Sequence, residues 1–170
     1  PKPNDTFRMK RFGQLLESPV GVAAGPHTQL AQNIVAAWLT GARFIELKTI
    51  QTLDELEIPK PCIDMQDEGY NCEWSQELKI KQSTDQYIDA WILIHVLKDY
   101  LKIGSPEEPG FIFNMSVGYN LEGILNENVQ WFLDQMHDAS AAISQKLDLI
   151  RNIYPDVDKL KISPQLSDNV

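Results

Sequence analysis

Residues 18–50, SPVGVAAGPHTQLAQNIVAAWLTGARFIELKTI, hold a strand, a helix and a second strand with almost no chain to spare between them. PVGVAA (19–24) reads as a buried strand. In QLAQNIVAAWL, Leu30, Ile34, Ala37 and Trp38 recur at helical spacing. Thr28 stands where an N-cap is expected and Gly41 just past the C-terminus. RFIELKTI (43–50) is the next strand. Two strands joined by such a helix are expected to run parallel, with a right-handed crossover.

The pattern repeats. A polar stretch containing Pro59, Pro61 and Gly69 leads to a helix over 84–102, with Tyr87, Trp91, Ile94, Leu97 and Leu101 along one face. GSPEEPG (104–110) is a break, FIFNMSV (111–117) a third strand, and helices are expected over 121–136 and 140–153. The order β-α-β-α-β-α fits a doubly wound sheet or part of a (β/α) barrel. The closing KISPQLSDNV reads as a polar tail without a fourth strand. The expected fold class is therefore α/β: the N-terminal portion, about three β/α units, of a TIM-type (β/α)8 barrel, incomplete as it stands. One domain is expected across 1–170. It comprises an N-terminal extension (1–17), a strand-helix-strand unit (18–50), a polar loop insertion (51–82) and a helix-strand-helices region (83–170). Open strand edges predict self-association.

Charge narrows the partners. The formal net charge is −9, which disfavours a nucleic-acid backbone or an anionic membrane surface. A phosphorylated cofactor in a local pocket stays possible, since loop amides and one lysine suffice. Cys62 and Cys72 lack CxxC spacing and read as small buried hydrophobes. No signal peptide opens the chain, and the longest apolar run, AWILIHVL, is far short of the roughly 20 residues of a membrane helix. A soluble, cytoplasmic protein is expected.

Strand alternation then assigns faces. Phe44, Glu46 and Lys48 share one side of the second strand, and Asn114 and Ser116 share one side of the third. Gly21, Ala23 and Gly25 give the first strand a bare side. Each strand thus has an apolar face for helices and a polar or bare face. In a barrel, polar groups near the C-terminal strand ends converge at the ligand-binding mouth. Lys48, Thr49, Asn114, Ser116 and the Ala23-Ala24-Gly25 backbone all fall there. Each has a plain alternative: Lys48 pairs with Glu46 or reaches solvent, Asn114 is a satisfied core amide, and the Ala-Ala-Gly corner is only a tight turn. No nucleotide-binding glycine motif is present. A bare backbone beside a lysine suits a flat ring, and an ammonium near its electron-rich edge favours a reduced, anionic flavin. His27 could bond a ligand or face water, His95 reads as a packed helix residue, and His137 as the start of a polar turn. No two histidines suggest a metal site.

The stretch AAGPHTQLAQNI, the strand ending in Lys48-Thr49, CIDMQDEGYNCEWS and FNMSVGYNLEGI together resemble the dihydroorotate dehydrogenase-like flavin barrels. They are closest in wording to the bacterial selenate reductase flavoprotein subunits, whose barrel region is similar to that of dihydropyrimidine dehydrogenase. The resemblance covers nearly the whole chain. It implies that Ala23, Ala24 and Gly25 lie along an FMN ring and that Lys48 and Thr49 contact its edge. Asn114 would close the next side of the pocket, and Asn71 would hold substrate. It implies no catalytic residue within these residues: the acid–base Cys or Ser and the FMN-phosphate loops belong later in such a barrel, and Cys62 and Cys72 are not in the matching place. FAD, NADPH and iron–sulfur clusters would belong to the rest of the parent protein. The expected function is therefore part of an oxidoreductase subunit that transfers electrons or hydride through flavin. A second reading is a structural or docking module that holds other redox subunits or domains of the parent complex, with Trp74 in loop 51–82 at the interface. A third, Lys48 as a Schiff-base nucleophile, is opposed by Glu46 on the same face, which raises the lysine pKa.

Overall fold

The computed structural model describes residues 6–23, 25, 28–47 and 78–167, together with the backbone of 63–64 and 70–71. The expected N-terminal extension is a hairpin. β1 (Met9–Arg11) pairs antiparallel with β2 (Gln14–Leu16) across a turn in which Phe12 (φ 50°) and Gly13 (φ 75°) both take the left-handed conformation. The sequence hid it because such turns favour Asn-Gly, and Phe12 gives no such signal.

β3 (Gly21–Val22), α1 (Ala31–Leu39) and β4 (Phe44–Leu47) form the expected strand-helix-strand unit. Within the polar loop insertion, β5 (Ile63–Asp64) and β6 (Tyr70–Asn71) make a short antiparallel pair. α2 (Ile80–Tyr100) begins a turn earlier than the sequence suggests, because the Gln82 side chain accepts the Lys79 backbone N–H at 2.9 Å. β7 (Ile112–Met115) completes a three-stranded parallel sheet in the order β3-β4-β7.

The single helix expected over 121–136 is two: α3 (Leu121–Ile124) and α4 (Glu127–His137). Two asparagine caps divide it. Asn120 Oδ1 accepts from Gly123 N–H, and Asn126 Oδ1 accepts from Asn128 N–H. His137 is the exposed last residue of α4, so the turn expected at His137 starts one residue later. α5 (Ser140–Ile150) follows and ends three residues early, before a 3₁₀ turn at Pro155–Lys159.

Thr28 does not cap α1. Its hydroxyl bonds back to Gly25, accepting the N–H at 3.1 Å and donating to the C=O at 3.0 Å. The α1 N-terminus is satisfied from outside: Ala31 N–H donates to Gln86 Oε1 of α2 at 2.9 Å. One amide thus ties two helices at the end where the free N–H groups lie.

The helices cover one face of the sheet. Ile45, Leu47, Phe113 and Met115 bury against Ile34, Trp38, Tyr87, Trp91, Ile94 and Phe132. His95 is packed, as expected: its ring meets Trp91 and Phe111 edge-on, and Nδ1 donates to the Trp91 carbonyl at 2.8 Å.

The tail after α5 is not loose. Ala139 N–H donates to Pro164 O, and Leu166 N–H donates to Met136 O. Trp91 Nε1 donates to Ser163 O near the start of β7, while Ser167 Oγ accepts the Met115 N–H at its end. Residues 163–167 therefore run alongside β7, as the chain entering a fourth strand would, though none is formed among the described residues. The buried Leu166 and Val157 supply the apolar anchors that a polar composition concealed.

Candidate functional site

The register fixes what each strand presents. Gly21, Phe44 and Ile112 share one row on the side away from the helices, and Glu46 and Asn114 are partners two residues further on. Continuing the β3 register by one residue brings Ala23 beside Glu46. Val22, Ile45 and Phe113 form the row between, turned toward the helices. The faces therefore fall as strand alternation predicts. Ala23 and Ser116 are exposed, while Glu46 and Asn114 are half-buried.

Bareness has two different causes on this face. At Gly21 a Cβ would stand 2.7 Å from the Phe44 carbonyl oxygen. Glycine there is demanded by the neighbouring strand and makes no room for a ligand. At Ala23 the side chain is small and the surface open. At Gly25 the buried backbone is locked by Thr28, itself buried. Gly25 and Thr28 thus hold each other across the exit from β3.

Of the residues singled out by sequence, the structure brings Ala23, Glu46 and Asn114 into one row and fixes Gly25 at the strand exit. Ala24, Lys48, Thr49, His27, Cys62, Cys72 and Trp74 lie outside the described residues, and so does the side chain of Asn71, whose backbone belongs to β6. Among the described residues no group of three His, Cys, Asp or Glu side chains is placed to hold a metal ion. None of the described helices is long and apolar enough to cross a membrane.

The opposite end of the strands carries a buried ion pair that sequence reading missed. Glu17 and Arg43 are 2 % and 3 % exposed, with Arg43 Nε 3.1 Å from Glu17 Oε2. Arg43 Nη1 also donates to the Trp38 and Ala42 carbonyls at 2.7 and 2.9 Å, and its guanidinium lies over the Trp38 ring. Gly104 and Gly110, both at positive φ, sit against the Glu17 side chain, which occupies the space their Cβ atoms would take. Lys98 donates to the Glu108 and Pro109 carbonyls, and burial lowers its pKa. Glu17 directly follows β2 and Arg43 directly precedes β4, 26 residues apart, so no periodic signal in the sequence links them.

A parallel sheet with helices on one face and a polar, open face toward its C-terminal strand ends defines the opening of an α/β barrel. Comparison agrees and closes the doubly wound alternative. The chain belongs to the family described as the N-terminal TIM-barrel domain of oxidoreductase YgfK, whose profile matches residues 1–168. It is 57% identical over 149 residues to the oxidoreductase YgfK of Escherichia coli strain K12, covering 85% of this chain and 14% of that protein. The YgfK of Escherichia coli O157:H7 matches to the same extent. The chain therefore spans only 14% of the length of these curated relatives. No solved structure matches it.

Proposed function

We propose that the bare and polar side of this sheet is one wall of an FMN site in an oxidoreductase barrel. The row Ala23, Glu46 and Asn114 carries the reading: open, polar and near the C-terminal ends of three parallel strands, where such barrels bind ligands. The methyl of Ala23 leaves space for a flat ring, and Ala24 and Gly25 would continue that edge of small residues. Asn114 offers a donor and an acceptor to a polar ring edge. By strand alternation Lys48 would follow Glu46 on the same side and meet that edge; Thr49 would join it only by the family resemblance, since alternation gives it to the other face.

FMN, when bound, supplies hydride or electron transfer. The chain's own residues have narrower tasks. Gly25, held by Thr28, would border the ring, Asn114 would orient it, and Lys48 would hold positive charge where negative charge gathers. Asn71 would contact substrate. FAD, NADPH and iron–sulfur clusters would lie in other parts of the full-length protein, and selenate is the substrate reading attached to the family resemblance.

The test is flavin content of the purified full-length polypeptide, read by absorbance at about 450 nm. Wild type should carry flavin and Lys48→Met should lose it. A full-length protein that is colourless and takes up no added FMN overturns the proposal. Selenate-dependent reoxidation of the reduced protein tests the substrate reading separately.

A further inference from the structure

We infer that the chain carries a second ligand site, between the end of α2 and the loop entering β7, that takes a small phosphate ester bearing free hydroxyls. The site lies apart from the row Ala23, Glu46 and Asn114 and does not rest on the flavin reading.

Three segments enclose a cavity of about 440 Å³. They are the last turns of α2, the 103–109 loop that leads to β7, and residues 159–161 at the end of the 3₁₀ turn. That volume is in the range of small-molecule sites. The cavity has a buried floor and an open rim. His95 and Lys98 at the floor are 9 % and 8 % exposed, while Lys102, Lys159, Lys161, Glu107 and Glu108 are exposed.

Both floor residues keep unused hydrogen-bonding capacity. The Lys98 ammonium has three donors, and two go to the Glu108 and Pro109 carbonyls. The third has no hydrogen-bond partner among the described residues. His95 spends Nδ1 on the Trp91 carbonyl, so Nε2 carries the lone pair. That atom is buried and has no hydrogen-bond partner among the described residues. Burial keeps the ring neutral by lowering its pKa to about 4. A buried ammonium bonded only to carbonyls suits an anion, and a buried lone pair calls for a donor.

The rim divides the same way. Four lysines border the cavity, in a chain of net charge −9, and so do three carboxylates. Asp99 is engaged by Lys102 Nζ at 3.0 Å and by the Tyr154 hydroxyl. Lys159 pairs with Asp156. Lys161, Glu107 and Glu108 form no ion pair among the described residues, so one cation and two carboxylates are left at the entrance. The oxyanion of a phosphate ester would accept from Lys98 and Lys161. Its hydroxyls would donate to the two glutamates and, directly or through one water, to His95 Nε2. Both a sugar phosphate and a nucleotide have this chemistry.

Lysine acylation by an N-hydroxysuccinimide ester in the full-length polypeptide, read by mass spectrometry, tests the inference. Ribose 5-phosphate and AMP, titrated separately, should each slow acylation of Lys161 at least about threefold at saturation and leave Lys10 on the hairpin unchanged. Stronger protection by AMP assigns a nucleotide, and stronger protection by ribose 5-phosphate a sugar phosphate. Inorganic phosphate should need about tenfold higher concentration, and ribose should not protect. Lys161→Glu, a change at an exposed position, should weaken calorimetric binding of the better ester about fivefold. Protection of Lys161 by neither ester, an unreactive Lys161 in the free protein, or equal protection of Lys10 would overturn the inference. So would unchanged affinity in Lys161→Glu, protection by ribose, or inorganic phosphate matching the esters, which would mean an adventitious ion only.

Discussion

Replacing Glu17 by alanine should loosen the joint between the N-terminal hairpin and the sheet. The carboxylate is 2 % exposed, pairs with Arg43 at 3.1 Å, and accepts the Ser105 N–H at 3.3 Å. Removing one member of a buried pair costs about 3–5 kcal/mol, chiefly because the other charge is stranded. Arg43 would keep the Trp38 and Ala42 carbonyls and the Trp38 ring face. The lower end, about 3 kcal/mol, is therefore expected. With a tenfold change for every 1.4 kcal/mol or so, the opening equilibrium should rise about 100-fold. Hydrogen exchange in the full-length polypeptide reads this locally, in peptides covering 9–17, 43–47 and 104–112. The double variant Glu17→Leu with Arg43→Met removes both charges and keeps most of the volume, so it should restore much of the protection. Two results would refute the reasoning: a loss of less than about tenfold for Glu17→Ala, or a double variant that exchanges as fast as the single one.

Burial lowers the His95 pKa from 6.5 to about 4, so the folded protein keeps it neutral while the unfolded chain protonates at pH 6.5. Its contribution to stability is present above pH 6.5 and falls away as pH drops toward 4, by up to about 3 kcal/mol; His95→Phe should flatten acid-induced opening across that window, and an unchanged slope counts against the assignment. Gly110→Ala should destabilise by more than about 2 kcal/mol, since it combines φ 77° with a Cβ 2.5 Å from Glu17 Cδ. Gly41→Ala, at φ 115° with nothing within 4 Å, should cost about 1 kcal/mol, and equal costs in exchange experiments would contradict the crowding argument. Asn114→Ala should weaken FMN retention in the full-length polypeptide by about tenfold while leaving exchange in β7 unchanged, because the side chain faces away from the helix-covered core; matched loss of β7 protection would make Asn114 a structural amide.

The strand-helix order and the two faces of the sheet were legible because both rest on local periodicity. Ile45 and Phe113 turn to the helices, and Glu46 and Asn114 away, as alternation alone requires. Bare positions were less transparent. Glycine at 21 and the small side chain at 23 read alike in sequence, yet only the register shows the Phe44 carbonyl crowding the first. Thr28 looked like a helix cap because composition cannot reveal that Gln86, 55 residues away from Ala31, supplies that hydrogen bond.

What the sequence by itself determined was carried by a repeat of two or of 3.6 residues: the parallel β/α order, the buried stripe of α1 and of α2 from Tyr87 to Ile94, and the two faces of the sheet, although Leu101, read as continuing the α2 stripe, is exposed. Only the tertiary structure decided the contacts between residues distant in the chain. Glu17 met Arg43 across the hairpin joint, Ser167 met the end of β7, and Phe12 lay against Phe44. Such pairings leave no periodic trace, because their favourable energy appears after the chain between them has folded and brought both partners out of water together.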